Sequence, residues 1–134
     1  MESGAQSILD SVKGIEKAQV MSAVTAAVGA GISVACSFMA PFPEDTLETL
    51  RETGEFMRRV QQAGAAIMLS YTCPYPGTYF HDHAAELGLT VLADTWADYD
   101  AKHVIIETRH LTAREIETAV ELIVHDLGLR KTVA

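Results

Sequence analysis

Prolines set the outline of this chain. Pro41 and Pro43 follow one apolar run at 32–38, and Pro74 and Pro76 follow a second at 65–71. Proline lacks a backbone donor and fixes φ, so neither run continues as a ladder or passes straight into a helix. Each must turn. The segment after each turn reads as helical. Asp45-Thr46-Leu47-Glu48 has the form of a capping box with Asp45 as N-cap. It predicts a helix to about residue 62, with Leu47, Leu50, Phe56, Met57 and Val60 inward and Gly64 as the stop. After the second turn a helix is expected over 79–87, stopped by Gly88. Strand, turn and helix thus occur twice, about one βα unit apart. That repetition predicts parallel neighbours with right-handed crossovers, and chemistry at the C-terminal ends of the strands.

The flanks extend the pattern. Ile8, Leu9 and Val12 share a face of a short helix over 5–12. Val20, Ala23, Val24, Ala27 and Val28 form a stripe on a second helix over 16–28, ended by Gly29 and Gly31. Short strands are expected at 89–93 and 103–107, joined by an aromatic loop whose Trp96 would anchor the extension to the core. Thr112-Ala113-Arg114-Glu115 is a second capping box, opening an amphipathic helix with Ile116, Ala119, Val120, Ile123 and Val124 on one side. The fold class is α/β: two long parallel strands, flanking helices, a short β extension and a C-terminal amphipathic helix. Nearly continuous apolar strands of this kind suit burial on both faces. One domain is expected over 1–134. Two such strands leave the edges of the sheet open, an association hazard, so a homo-oligomer or a partner chain is expected.

Composition narrows the function. Net charge is −8 and the isoelectric point is near 5.0. A sequence-independent nucleic-acid binder needs a basic face, and only Arg58-Arg59 and Arg130-Lys131 form basic doublets, read as solvated helix ends. No apolar run approaches the roughly 20 residues that span a bilayer, and no signal peptide is apparent at the N-terminus. No nucleic acid, no membrane and a cytoplasmic location are expected. Cys36 and Cys73 are the cysteines, read as reduced thiols.

The turns carry the candidate chemistry. A helix N-terminus behind the loop at 40–46 favours polar or anionic groups. Glu44 is either a solvated acid beside the cap or an acceptor that orients a ligand amine or hydroxyl. Tyr71 and Tyr75 are either packing aromatics or part of a site. Ala40-Pro41-Phe42-Pro43-Glu44-Asp45-Thr46 resembles a Gly-x-Pro-Gly-Glu-Thr loop, with both glycines replaced, which leaves less room for close backbone approach. Cys73-Pro74-Tyr75-Pro76-Gly77-Thr78 is similar to Thr-Pro-Tyr-Pro-Gly-Thr, and Glu2-Ser3-Gly4-Ala5 to Glu-Ser-Gly-Ser. In this order the three resemble the C-terminal half of a radical S-adenosylmethionine domain of the cobalamin-associated, porphyrin-cyclase-like group.

That resemblance implies a partial (βα) barrel fragment, with 1–88 as half of the barrel and 89–134 as a C-terminal β extension plus helix. It implies S-adenosylmethionine as cofactor, held by Glu2, Ser3, Pro41, Glu44, Tyr71, Thr72, Pro74 and Gly77, with no catalytic residue assigned. In the family a [4Fe–4S] cluster cleaves the cofactor to a 5′-deoxyadenosyl radical. A CxxxCxxC motif needs three thiolates and this chain has two cysteines, so the cluster is expected only from another, cluster-bearing chain. Without it the chain is expected to be inactive alone. Two readings stand beside this one. The chain could be a non-catalytic assembly module that completes its barrel by dimerisation or with a partner. It could instead be a small enzyme built on Cys73, His81 and His83, although an i, i+2 histidine pair points to different sides of a helix. His103, His110 and His125 have no ligand-like spacing, and no metal site is expected.

Overall fold

The computed structural model describes residues 1–129; the Arg130-Lys131 doublet lies outside the described residues. In chain order the elements are α1 (Gln6–Val12), α2 (Lys17–Gly29), β1 (Ala35–Ala40), α3 (Leu47–Gln62), β2 (Ala66–Tyr71), α4 (Tyr79–Asp82), β3 (Thr90–Val91), β4 (Ile106–Glu107) and α5 (Ala113–Asp126). β1 and β2 pair in parallel with Ala35 opposite Ala66 and Ala40 opposite Tyr71. β3 and β4 form a separate antiparallel pair. The architecture is mixed α/β, and no barrel closes among the described residues.

α3 forms where the sequence predicts it, but its cap is shifted by one residue. The N-cap is Thr46, whose side chain accepts from the Thr49 amide while Thr49 returns the bond. Asp45 instead folds inward and is buried, accepting from the Phe42 amide at 2.7 Å and the Thr49 hydroxyl at 2.5 Å. It braces the turn. The inward stripe of α3 is Leu50, Thr53, Phe56, Met57 and Val60; Leu47, expected inward, is half exposed beside α5. α5 opens at the expected Thr112–Glu115 box.

Two helices cover one face of the sheet. Cys36 and Phe38 pack with Phe56, Met57, Val60 and Ile123, and Val24 joins them from α2. Ala40 packs with Leu50, Ile116 and Val120, with Leu69 and Tyr71 against them. The opposite face carries Ala35, Ser37, Ala66 and Met68, all exposed, Met68 at 58%. The expectation of strands buried on both faces is therefore corrected. A two-stranded sheet gives α3 and α5 one side to cover; on the other side Met39, at the C-terminal end, is packed against Ala5, Ile8 and Phe42, while the four residues nearer the N-terminal end stay exposed. Small residues keep that open face from becoming a continuous greasy surface.

Several other expectations are revised. β3, β4 and α4 are shorter than their apolar patterns imply: after Asp82 the chain turns repeatedly until Gly88. On α2 only Val24 is buried, and Ala23 faces out. Trp96 does not anchor the extension. It is 75% exposed and meets Tyr99 at 5.7 Å, while Leu89, Ile105 and Ile106 form the extension's own core with Cys73 and Phe80 against it.

Candidate functional site: the C-terminal end of the parallel strands

The three segments that resemble family motifs lie side by side at the end of the sheet. The N-terminal segment runs beside β1, where the Met39 amide donates to the Glu2 carbonyl at 2.9 Å. Its turn is fixed on α3. The Ser3 hydroxyl lies 3.1 Å from that of Thr53, and the Gly4 amide donates to the same Thr53 oxygen at 3.0 Å. A Cβ on Gly4 would stand 2.7 Å from both Thr53 Cα and Phe56 Cβ, so glycine is needed for the approach itself. On the far side of the sheet the Tyr71 amide donates to Ala101, a non-glycine residue held at φ 59°. The mouth lies between these two edges, and beside it Ala5, Ile8 and Phe42 form a small buried cluster with Met39 and Phe80 packed against it, Phe42 and Phe80 edge to face at 6.1 Å.

The eight candidate cofactor residues are placed differently around this end of the sheet, and Glu44 and Tyr71 point away from the others. Glu2 is partly exposed and pairs with Lys13 at 2.9 Å. Ser3 is buried and its hydroxyl also accepts from the Ala5 amide. Pro41, after a cis peptide bond, and Pro74 are buried in the two turns. Glu44 points to the outer rim, 3.4 Å from His110 Nε2 and 4.0 Å from Arg109 Nε. Tyr71 points to the helix side, where burial, then the nearby Glu117 and Glu121 carboxylates, push its phenol up to about 12; it stays neutral. Gly77 sits exposed at φ 85° with open space around it.

Thr72 differs from the rest. It is 1% exposed, its amide is bound to the Ala40 carbonyl at 2.9 Å, and its hydroxyl has no hydrogen-bond partner among the described residues. A buried polar atom without a partner is uncommon in folded proteins and asks for a cause. It sits at the first position after β2.

Two cavities lie elsewhere on the chain. One of about 660 Å³ runs along the free edge of β2, between Met68, Tyr71, Lys102, His103 and α5. Tyr71 lines it; the other seven candidates line neither this cavity nor the groove between α3 and α5. His81 and His83 do not form a ligand pair. His81 Nδ1 lies 3.1 Å from Asp82, whereas His83 stacks on Tyr79 at 4.3 Å and lies 3.2 Å from its carbonyl. No group of three His, Cys, Asp or Glu side chains suited to a metal ion occurs among the described residues. No described helix is long and apolar enough to cross a membrane.

Sequence reasoning missed Thr53, the residue that ties the N-terminal turn to α3. A signal was present: it is a polar residue at the inward spacing between Leu50 and Met57. It also missed the rim pair of Glu44 with His110, which are 66 positions apart.

No family model matches the chain. It is similar to an uncharacterized methyltransferase of Pyrococcus horikoshii, with 29% identity over 117 residues, covering 87% of this chain and 25% of that protein. The chain thus spans about a quarter of the length of this relative.

Proposed function

We propose that this chain forms one wall of an S-adenosylmethionine pocket in a radical S-adenosylmethionine-type enzyme, with its two parallel strands as a segment of a (βα) barrel. The observation that carries the reading is the convergence of Glu2-Ser3-Gly4, the 40–46 turn and the 72–78 turn at one end of the sheet, with the unpartnered Thr72 hydroxyl among them. The similarity to a protein named as a methyltransferase supports cofactor chemistry of this kind. The residues fit a polar cofactor in part: a buried hydroxyl without a partner at Thr72 and a partly exposed carboxylate at Glu2, paired with Lys13. They do not fit an iron–sulfur cluster. Cys36 is buried on the helix side of β1 and Cys73 packs in the core of the extension, so two thiols on different elements face away from a common centre. Any cluster belongs to another polypeptide segment.

The test is calorimetric titration of S-adenosylmethionine into the purified chain, with Glu2→Ala and Glu44→Ala as controls. Saturable heat weakened in the Glu2 variant is expected. No heat from the intact chain would remove the cofactor reading for this chain by itself. A second reading is then favoured by the open face of β1 and β2, where Ala35, Ser37, Ala66 and Met68 lie uncovered: an assembly module whose sheet is completed by another chain or a second copy. Its mark is loss of association on Met68→Glu.

A further inference from the structure

On the side of the molecule away from the open sheet, α3 and α5 lie next to each other with a groove of about 580 Å³ between them. The two helices run in the same direction. Glu44 meets His110 at their start, and at their far end Arg58 pairs with Asp126 at 3.6 Å and Gln61 with the Leu127 carbonyl at 3.1 Å. Their approach is close: a Cβ on Gly54 would stand 2.9 Å from Ile123 Cγ1. Leu122, at 60% exposure, stands on the wall of this groove next to Thr118 and Ala119.

Three features of this face point to the same occupant. Its rim carries Arg51, Arg58 and Arg114 against Glu55, Glu115 and Asp126, a balanced set in a chain of net charge −8. Two copies repel each other over most of their surface and not here. The set is also self-complementary. A two-fold axis level with Val120 lays α5 antiparallel on its symmetry mate. It then places Arg114 opposite Asp126 of the second copy, and Leu122 opposite the small Thr118, each contact occurring twice. Arg114 makes no ion pair within the chain among the described residues, and it lies in the first turn of α5, where the helix dipole disfavours a cation. A carboxylate from a second copy answers both conditions. Finally, two parallel helices align their dipoles unfavourably, and an antiparallel pair from the second copy opposes them.

We infer that this chain forms a two-fold homodimer through the α3–α5 face, with Leu122 seated in the groove of its mate and Arg114–Asp126 ion pairs at both ends. The interface is distinct from the open sheet and does not rest on the cofactor reading. Sedimentation velocity over a concentration series tests it. The chain is expected at about 29 kDa, twice its 14.5 kDa. Leu122→Glu, an exposed change to a good helix former, should give a folded monomer by circular dichroism. Arg114→Glu should raise the dissociation constant about tenfold, because the symmetry doubles the repulsion, and adding Asp126→Arg should restore it. A monomer at every concentration overturns the inference. So does a dimer that survives Leu122→Glu; if that dimer is lost on Met68→Glu, copies meet through the open sheet instead.

Discussion

Replacing Thr72 by valine separates a structural hydroxyl from a functional one. The side chain is 1% exposed and its oxygen is unpartnered among the described residues. Leaving a buried hydroxyl without a bond costs about 1–3 kcal/mol. Valine keeps the shape and β-branching that suit a strand end, and replaces the oxygen with a methyl group. Taking the low end of that range, Thr72→Val should stabilise the chain by about 1 kcal/mol. For a chain of this size that corresponds to a rise in Tm of about 3–5 °C. Urea unfolding should show a higher midpoint with an unchanged slope, the sign of altered stability rather than altered compactness. Thr72→Ala should do the opposite, since it removes the methyl group as well and leaves a void. If the hydroxyl faces bound S-adenosylmethionine, the valine variant should also bind it about tenfold more weakly while being more stable, a loss of one neutral hydrogen bond. Gain in stability with loss of binding is the signature of a strained functional group. A fall in Tm for Thr72→Val would refute the reasoning, because it would mean the oxygen makes a bond worth keeping in the folded protein.

Two further substitutions probe the frame around the mouth. Gly4→Ala forces a methyl group to within 2.7 Å of Thr53 Cα and Phe56 Cβ, so a loss of about 1–3 kcal/mol is expected in denaturant unfolding. Hydrogen exchange at the Met39 amide, bonded to Glu2, should quicken as the turn lifts. Asp45 gives a pH signature. Burial raises its carboxyl above 3.8, although bonds from Thr49 and Phe42 oppose that. The folded chain then keeps the proton at pH values where the unfolded chain has released it. That group's contribution is present below 3.8 and is lost as pH rises through the folded value. Relative to wild type, Asp45→Asn should therefore gain Tm as pH is raised from about 3 to 6. A constant difference across that range would show that Asp45 titrates at its ordinary value.

Local chemistry was the legible part of this sequence. Proline placement fixed the ends of β1 and β2, and the Thr112–Glu115 box and the inward stripe of α5 came from spacing alone. These are interactions within a few residues. The features that stayed hidden depend on partners far along the chain or on surfaces left uncovered. The cap of α3 moved from Asp45 to Thr46 because the Asp45 carboxylate is drawn to the Phe42 amide across the turn, and both residues satisfy the same capping rule. Thr53 reads as a polar interruption of an apolar stripe until the Gly4 turn is set against it. Trp96 reads as an anchor because large aromatics are usually buried, yet the extension builds its core from Leu89, Ile105 and Ile106 and leaves the indole outside.

The open face of the sheet shows the same limit from the other side. Apolar runs such as those of β1 and β2 report that a strand is to be buried, but not by what. Here the helices cover the residues from Cys36 to Ala40 that alternate inward, and Ser37, Ala66 and Met68 are left to water. The residues on that face are small or flexible, apt for lining a cavity between strands and poor as a tight core. The mouth inherits this incompleteness. Glu2, Thr72 and the Phe42–Phe80 pair are fixed in place by contacts within the chain, and on the proposed reading they supply one wall of a pocket whose opposite side lies outside the described residues. A preorganised wall without its opposite side can orient a ligand, but it exposes that ligand to water and binds it weakly. The cofactor titration and the association experiments therefore address linked quantities. If a second polypeptide covers the open face, affinity for S-adenosylmethionine should rise with its occupancy. If copies meet only through α3 and α5, affinity should be the same in the wild-type dimer and the Leu122→Glu monomer, because that interface lies on the far side of the sheet.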